Sequence, residues 1–549
     1  MIQKTFFILA FISISIAWLF PNDATSWVSF ISEYLAFIAA FFIVAGCFHK
    51  DKIQIPQIIL PILLISFIPF MQFFLGTVFS VSIAYLSFFY LFVFFALIVY
   101  SYNLTKDQQP IIWLSYALVF SSITSCVFAI SQWLDIYIYV PVIELKGNRP
   151  YANFGQPNHL STFLFMGFLA ALYLLEVEKL KKYLAYTFII IILFTIALTQ
   201  SRTSWIVIAF IVIFYLVKKL NSDLKLKPLF MASCSGFLLL CIILQPKLSV
   251  LIRDSFGFNT AQTMEVLTRA TTQHERIELW KQAFDLIFQK PFSGYGWNQT
   301  GISVVEQIER VNFSYWYSST HNIILDIFTW CGLILGSLIV LYFTYLILYS
   351  TFKIKIKEAN YALLMIGVVL IHGMLEYPLS YSYFLLPVGF LLGIVLSGIK
   401  DLKIISVSNK FTYLVIVIYA GCLYLVWTEY VNALADQSKA KIIALNRMAK
   451  IEDPKDKYFE IENNYYILKD MGYHAEWLAL NAKQKYSLGE IEKMDKFVTL
   501  YPSQFNLIKL AQIYLYNDHK IAAERQLYVF NKLYKSKYTM KNLEDTLNK

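Results

Sequence analysis

Apolar residues run along this chain in long unbroken blocks, not in the one-sided stripes of water-soluble helices. Thirteen blocks are counted, at roughly 6–20, 30–48, 58–75, 78–100, 111–134, 157–175, 183–198, 204–217, 229–245, 322–350, 361–373, 380–398 and 411–428. A membrane-crossing helix needs about 20 predominantly apolar residues. Blocks such as 111–134 and 322–350 meet that length, while 204–217 and 361–373 fall short of it. The pattern predicts an all-α polytopic membrane protein with about 13 transmembrane helices. The first block follows Lys4 and ends at Leu19-Phe20-Pro21-Asn22 without a small-residue cleavage site, so it reads as a first span and not as a leader.

The polar stretches divide the chain. Residues 1–245 would hold nine spans, 246–321 a large loop, 322–428 four more spans, and 429–549 a helical C-terminal domain. In that last region Lys, Glu, Asn and Tyr rise, and apolar residues recur at helical spacing. Tyr501-Pro502-Ser503-Gln504-Phe505 opens a helix-turn-helix pattern that continues through Leu510, Ala511, Tyr514, Ala522, Ala523, Leu527 and Leu533. This is either a degenerate tetratricopeptide-like hairpin, with another at about 456–490, or a plain helical bundle. One or two units do not establish a repeat.

Composition agrees with the pattern. The chain has 549 residues, 58% hydrophobic, 17% aromatic and 15% charged. Its net charge of +10 does not point to nucleic acid, because the lysines are segregated between the spans. The six cysteines lie in or beside apolar blocks and form no CxxC pair, which suggests neither a disulfide framework nor a metal site. With the N-terminus in the cytoplasm, the inner connections (the N-terminus, 49–57, 101–110, 176–182, 218–228, 351–360 and 399–410) hold 17 Lys and Arg. The short outer connections (21–29, 76–77, 135–156, 199–203 and 374–379) hold 3, namely Lys146, Arg149 and Arg202. That bias fixes an expected orientation. It places 246–321 and 429–549 outside the cytoplasmic membrane.

Unusual chemistry gathers on the outer side. Arg149-Pro150-Tyr151-Ala152-Asn153-Phe154-Gly155-Gln156-Pro157-Asn158-His159 precedes the sixth span. Pro157 suits a helix start, where its missing N–H is not needed. Thr199-Gln200-Ser201-Arg202-Thr203-Ser204-Trp205 forms a tight turn between two short spans. Arg202 there either snorkels to the head groups or offers a fork of donors to phosphate. In the large loop, His274-Glu275-Arg276 opens an amphipathic helix to about Gln289. Its Ile277, Leu279, Trp280, Phe284, Ile287 and Phe288 are candidates to lie on the membrane. A glycine turn, Pro291-Phe292-Ser293-Gly294-Tyr295-Gly296-Trp297-Asn298, follows. Ser318-Ser319-Thr320-His321-Asn322 then meets the tenth apolar block, with Ser319 or Thr320 as expected helix cap. A helix N-terminus favours a neutral imidazole and attracts phosphate. The turn His372-Gly373-Met374-Leu375-Glu376-Tyr377-Pro378 completes the set.

Taken in order, these motifs resemble the bacterial protein O-oligosaccharyltransferases, or pilin glycosylases, within the superfamily of O-antigen ligases and O-antigen polymerases. The resemblance covers about 140–400, and the Asn153–His159 run is its most specific part. It implies a GT-C-like glycosyltransferase architecture in the bacterial inner membrane, with active site and C-terminus in the periplasm. It further implies a donor oligosaccharide on undecaprenyl pyrophosphate and an acceptor Ser or Thr hydroxyl of a secreted protein such as type IV pilin. By matching motif, His321 is the essential histidine, and Arg202 and Arg276 hold the pyrophosphate. Gln156 and Tyr377 are polar residues of the glycosylase branch. Arg149, Asn158, His159 and Asn322 are further substrate-binding candidates, and Glu376 is the partner proposed for the catalytic base.

The chemistry of the residues agrees. Transfer from a pyrophosphate needs a stronger nucleophile and a stabilised leaving group. His321 as general base is worth on the order of 100- to 10,000-fold, and two arginines would offset the developing negative charge. No paired carboxylates or Asp-x-Asp motif stand out in the outer loops, so no cofactor and no metal are expected. A single in-line displacement would invert the anomeric centre. Competing readings are an O-antigen ligase with a lipid A core acceptor, an O-antigen polymerase, and a lipid-linked glycan transporter without chemistry. Asp326, about 140° round the helix from His321, is not expected to orient the imidazole directly.

Overall fold

The computed structural model describes residues 2–104, 110–258, 260, 275–311, 315–448 and 463–548. His274 and the beginning of the first suggested C-terminal hairpin, up to residue 462, lie outside them. In chain order the helices are α1 (Ile2–Leu19), α2 (Phe30–Ala45), α3 (Leu60–Ser66), α4 (Ile68–Phe74), α5 (Val81–Tyr102), α6 (Pro110–Leu134), α7 (Pro157–Glu176), α8 (Lys182–Leu198), α9 (Thr203–Lys219), α10 (Pro228–Phe256), α11 (Glu275–Gln289), α12 (Thr300–Glu306), α13 (Ile323–Lys353), α14 (Lys357–Gly373), α15 (Ser382–Ser397), α16 (Lys410–Met448), α17 (Lys469–Ala479), α18 (Leu488–Leu500), α19 (Gln504–Tyr516), α20 (Lys520–Tyr534) and α21 (Met540–Asn548).

Each apolar block falls on helix, and the third is divided between α3 and α4. Among the described residues, seven stretches are long and apolar enough to cross a membrane: Gln57–Phe74, which holds α3 and α4, then α5, α6, α7, α10, α13 and Lys410–Arg447 of α16. Four further apolar helices, at Gln3–Leu19, Phe30–Ala45, Lys182–Leu198 and Ser382–Ser397, are shorter. The chain is a polytopic, essentially all-helical membrane protein.

Three features refine the expected pattern. The helices are joined by one short antiparallel pair, β1 (Lys52–Pro56) with β2 (Ile404–Ser408), with Ile53 opposite Val407 and Ile55 opposite Ile405. Short β-branched segments are good strand formers once a partner is near, but each was hidden beside a long apolar block. The polar loop does not begin at Pro246, because α10 carries that proline in its interior and ends at Gly257, which adopts a left-handed conformation. And α13 is interrupted at Gly332, whose φ of 72° and ψ of −179° are not helical.

Two compact units divide the chain. The first comprises Met1–Leu63, Tyr90–His274 and Tyr342–Leu423, and the second Leu64–Phe89, Glu275–Leu341 and Tyr424–Lys549.

In the first unit, α7 is almost wholly buried. Its connections bond to one another in two sets. The Asn22 N–H donates to the Asn153 carbonyl, Asn153 Nδ2 donates to the Leu19 and Pro141 carbonyls, and Arg149 Nε donates to the Thr199 carbonyl. At the other ends of the helices, β1 pairs with β2, and Lys218 Nζ donates to the Thr351 and Ile354 carbonyls. Glu176 there accepts from the Lys225 N–H and the Tyr361 hydroxyl.

The second unit has its own core. Leu279 and Leu286 of α11, Tyr295, Val304 and Val305 of α12, Ile308 and Tyr317 pack with Trp477, Met494, Phe497, Leu507 and Leu510 of the C-terminal helices. The described part of the large loop and the C-terminal region therefore share one apolar interior. Glu429 of α16 fixes the approach to α17 by accepting from the Tyr466, Ile467 and Leu468 N–H groups.

Candidate active site

In the first unit the Arg149–His159 run folds into an over-determined corner. Ala152 and Gly155 both take positive φ. Gln132 of α6 holds the corner from below: its Oε1 accepts from the Tyr151 and Ala152 N–H groups, and its Nε2 donates to the Ile143 and Ala152 carbonyls. Gln156 is the N-cap of α7, with its side-chain oxygen 2.8 Å from the His159 nitrogen, and Pro157 occupies the first turn as expected. A chain of hydrogen bonds then crosses four segments. Arg149 Nε donates to the Thr199 carbonyl at 2.9 Å, Arg149 Nη2 donates to Asn158 Oδ1 at 3.1 Å, and Asn158 Nδ2 donates to Glu376 Oε1 at 3.0 Å. A cation and a carboxylate are thus joined through one amide. Arg149 also suits the end of α8, where carbonyls lack helical partners.

His159 is buried, with its ring centroid 5.2 Å from that of His372, 5.9 Å from Tyr377 and 5.1 Å from Tyr381. His372 Nδ1 pairs with the Thr162 hydroxyl at 2.9 Å. Burial, and then the neighbouring Glu376, push the Tyr377 phenol above its usual range. At neutral pH it is therefore a hydrogen-bonding hydroxyl and not a base. Arg202 stands half-buried at the N-cap of α9. The turn before it is built on Gln200 at positive φ and on the Thr199 hydroxyl, which accepts from the Ser201 N–H. Arg149, Gln156, Asn158, His159, Arg202, Glu376 and Tyr377 all belong to this unit.

The second unit holds His321, Asn322 and Arg276. His321 is half-exposed and adopts φ of 56°, a left-handed conformation uncommon for a residue with a side chain. Its backbone is held there by Asp326. The carboxylate accepts from the Ser319 hydroxyl at 2.6 Å, the Thr320 N–H at 2.9 Å and the Thr300 hydroxyl at 2.9 Å. Ser319 Oγ in turn accepts from the His321 N–H at 3.1 Å, and Trp330 Nε1 donates to Thr300 Oγ1. The cap is not Ser319 or Thr320, as the sequence suggested. Asn322 caps α13, its side-chain oxygen accepting from the Ile324 and Leu325 N–H groups. The two hydroxyls are drawn away to Asp326 and to the Asn322 carbonyl. Arg276 lies in the first turn of α11, partly exposed.

Sequence reasoning singled out the Arg149–His159 run and the His321 junction but not the residues that hold each. Gln132 and Tyr381 in the first unit, and Thr300 in the second, carry no motif of their own. Asp326 was visible as a rare charge in an apolar block, and its role is to shape the loop that presents His321.

The C-terminal 360–545 match the family described as virulence factor membrane-bound polymerase, C-terminal, and residues 187–340 match the O-antigen ligase family. Residues 150–175, the corner and α7, match the protein glycosylation ligase family. A general O-oligosaccharyltransferase of Acinetobacter baylyi is 35% identical over 546 residues, covering 98% of this chain and 94% of its own length. The chain belongs to the O-oligosaccharyltransferase family. A second relative in that organism, a ComP-specific O-oligosaccharyltransferase, is 28% identical over 87% of this chain and 86% of its own length. The protein is a glycosyltransferase of protein O-glycosylation. Within this O-oligosaccharyltransferase, the ligase match spans Arg202, Arg276 and His321, and the glycosylation-ligase match spans Gln156, Asn158 and His159.

Proposed function

We propose that this enzyme moves an oligosaccharide en bloc from undecaprenyl pyrophosphate to a Ser or Thr hydroxyl of a secreted or pilin-type protein, at the periplasmic face of the inner membrane. The likeness to a general O-oligosaccharyltransferase across 98% of the chain carries the reading. His321 acts as general base on the acceptor hydroxyl. Arg202 and Arg276 stabilise the departing pyrophosphate, and the reaction inverts the anomeric centre without a metal. The left-handed backbone at His321 supports its role, because strain of this kind persists where the surroundings enforce it and clusters at working sites.

About 13 spans with the N-terminus in the cytoplasm belong to the same proposal. Its support is the grouping of the connections: those assigned outward on charge bond to one another, as do those assigned inward. One helical hairpin, α19 packed on α20, supports the tetratricopeptide-like reading of the tail.

The test is mass spectrometry of pilin co-expressed with a lipid-linked glycan pathway and this enzyme. A glycan-sized mass increase is expected, and it is expected to fall at least about 100-fold in rate for His321→Ala and to survive EDTA. Full activity in His321→Ala, or loss to EDTA reversed by a divalent ion, would overturn the mechanism. The O-antigen ligase match favours one alternative, glycan transfer to lipid A core. Unmodified pilin with glycan-capped lipopolysaccharide would establish that alternative.

A further inference from the structure

α11 presents three faces. Leu279 and Leu286 enter the core shared with the C-terminal helices. Ala283 and Ile287, with Trp280, pack on Leu325, Phe328 and Leu333 of α13. The third face is apolar and uncovered: Ile277 is 54% exposed, Phe284 53% and Phe288 65%. These three lie within about 40° of one another at 3.6 residues per turn. Phe292, 78% exposed, extends the stripe into the following turn.

That turn docks on the interruption of α13. The Leu333 N–H donates to the Pro291 carbonyl, and the Tyr295 and Gly296 N–H groups donate to the Thr329 and Trp330 carbonyls. The backbone groups freed at Gly332 are thereby satisfied, as non-helical backbone at membrane depth requires. The interruption also separates two environments. Before it, Leu325, Asp326, Thr329 and Trp330 are buried in protein. After it, Ile334, Leu338 and Leu341 are more than 60% exposed. The remaining stretch, Leu333–Lys353, is roughly 30 Å long at about 1.5 Å per residue, which matches a bilayer's hydrocarbon core of about 30 Å.

A neighbouring span ends at the same height. Gln57–Phe74 closes with Phe74 and Leu75 exposed, and Gln72 bonds to the Trp330 carbonyl and the Trp297 N–H. Its end is thus level with the Gly332 interruption, not with His321.

We infer that the outer boundary of the hydrocarbon crosses this unit at Gly332, and that Ile277, Phe284, Phe288 and Phe292 form a collar seated on the outer leaflet of a phospholipid bilayer. The occupant follows from continuity, since the stripe runs on from the lipid-facing side of α13. The exposed Lys281, between Ile277 and Phe284, is offset by the exposed Glu278 and Asp285, so the seating rests on the apolar stripe and not on charge. Two consequences concern the donor. Arg276, beside Ile277, sits at head-group level, where the pyrophosphate of a membrane-anchored donor lies. The start of α13 stands up to roughly 14 Å above the interruption, beyond a head-group layer of about 5–7 Å per leaflet. His321 is therefore held over the sugar end of such a donor. The collar itself rests on the membrane reading of the chain and not on the proposed chemistry.

The experiment is nitroxide labelling of full-length protein in nanodiscs of phosphatidylethanolamine and phosphatidylglycerol. Single cysteines replace Ile277, Phe284, Phe288 or Phe292, with Leu338→Cys as the lipid control and Glu524→Cys as the water control. Background labelling is measured on the parent protein, whose native cysteines are buried or half-buried. Collision with oxygen against a water-soluble nickel chelate is read at each site. Oxygen-favoured ratios at 284, 288 and 292, close to that at 338, are expected, and Tyr315→Cys near His321 should be nickel-accessible like 524. Nickel-favoured ratios at 284, 288 and 292 beside an oxygen-favoured 338 would overturn the collar while leaving the glycosyltransfer reading intact. A nickel-favoured 338 would overturn both the collar and the span it continues.

Discussion

At the scale of single residues, Asp326 matters as much as the histidine it serves. Its two oxygens take three donors from Ser319, Thr320 and Thr300. Each buried donor left unsatisfied costs about 1–3 kcal/mol. Asp326→Ala should therefore relax His321 from its left-handed conformation and lower turnover by at least tenfold. Asp326→Asn keeps one acceptor oxygen and should fall between the two. Steady-state kinetics on pilin check this, and a loss confined to KM with turnover intact would argue against a positioning role.

Lys509 offers a titration far from that loop. Its ammonium donates to the Trp477 and Leu478 carbonyls, but burial, and then the charge of Arg447, lower its pKa to about 7. The unfolded chain holds that proton up to the usual value of 10.5, so between about 7 and 10.5 it binds more protons than the folded chain does. Stability then rises with pH across that window and is flat below it. Thermal unfolding of the C-terminal helices should show this slope, and Lys509→Met should flatten it.

At the scale of elements, the interruption of α13 is the decisive feature. Gly332 holds a backbone conformation reserved essentially for glycine. A Cβ there would meet the Phe292 carbonyl oxygen at 2.6 Å, and one on Gly294 would meet the Trp330 carbonyl carbon and oxygen at 2.5 Å. Both neighbours are backbone and cannot swing aside. Gly332→Ala should cost about 1–3 kcal/mol from conformation alone, with the clash in addition. The change should appear as a lower unfolding temperature and as faster hydrogen exchange at the Tyr295 and Leu333 amides. Unchanged protection at those amides would mean that the turn does not depend on the interruption.

For the whole molecule, the unexpected point is that the large loop and the tail share one core. Trp477 is fully buried there, with its indole N–H donating to Asn506. Trp477→Ala should cost about 3–5 kcal/mol and should loosen α11 and α12, nearly two hundred residues earlier in the chain. Hydrogen exchange across 275–311 checks this. Unchanged protection there would separate the two regions energetically.

Which parts of this were legible beforehand follows from the range of the interactions. The helices were legible because apolar blocks must bury their backbone within a helix to cross lipid. The grouping of connections was legible because lysines mark one side of each span. The Arg149–His159 corner and the His321 junction were legible as polar motifs where apolar blocks stop. The pairing of β1 with β2, the Gln132 brace, the Asn322 cap and the Gly332 interruption were not. Each depends on a partner from a distant segment, and a hydrogen bond from Gln72 to Trp330 leaves no trace in local spacing. The inward turn of Leu279 and Ile287 shows the same limit. The sequence by itself determined that α11 is amphipathic, because apolar periodicity is a local property. Only the tertiary structure decided which apolar residues pack on protein and which remain for the membrane, because that depends on what lies on each side of the helix.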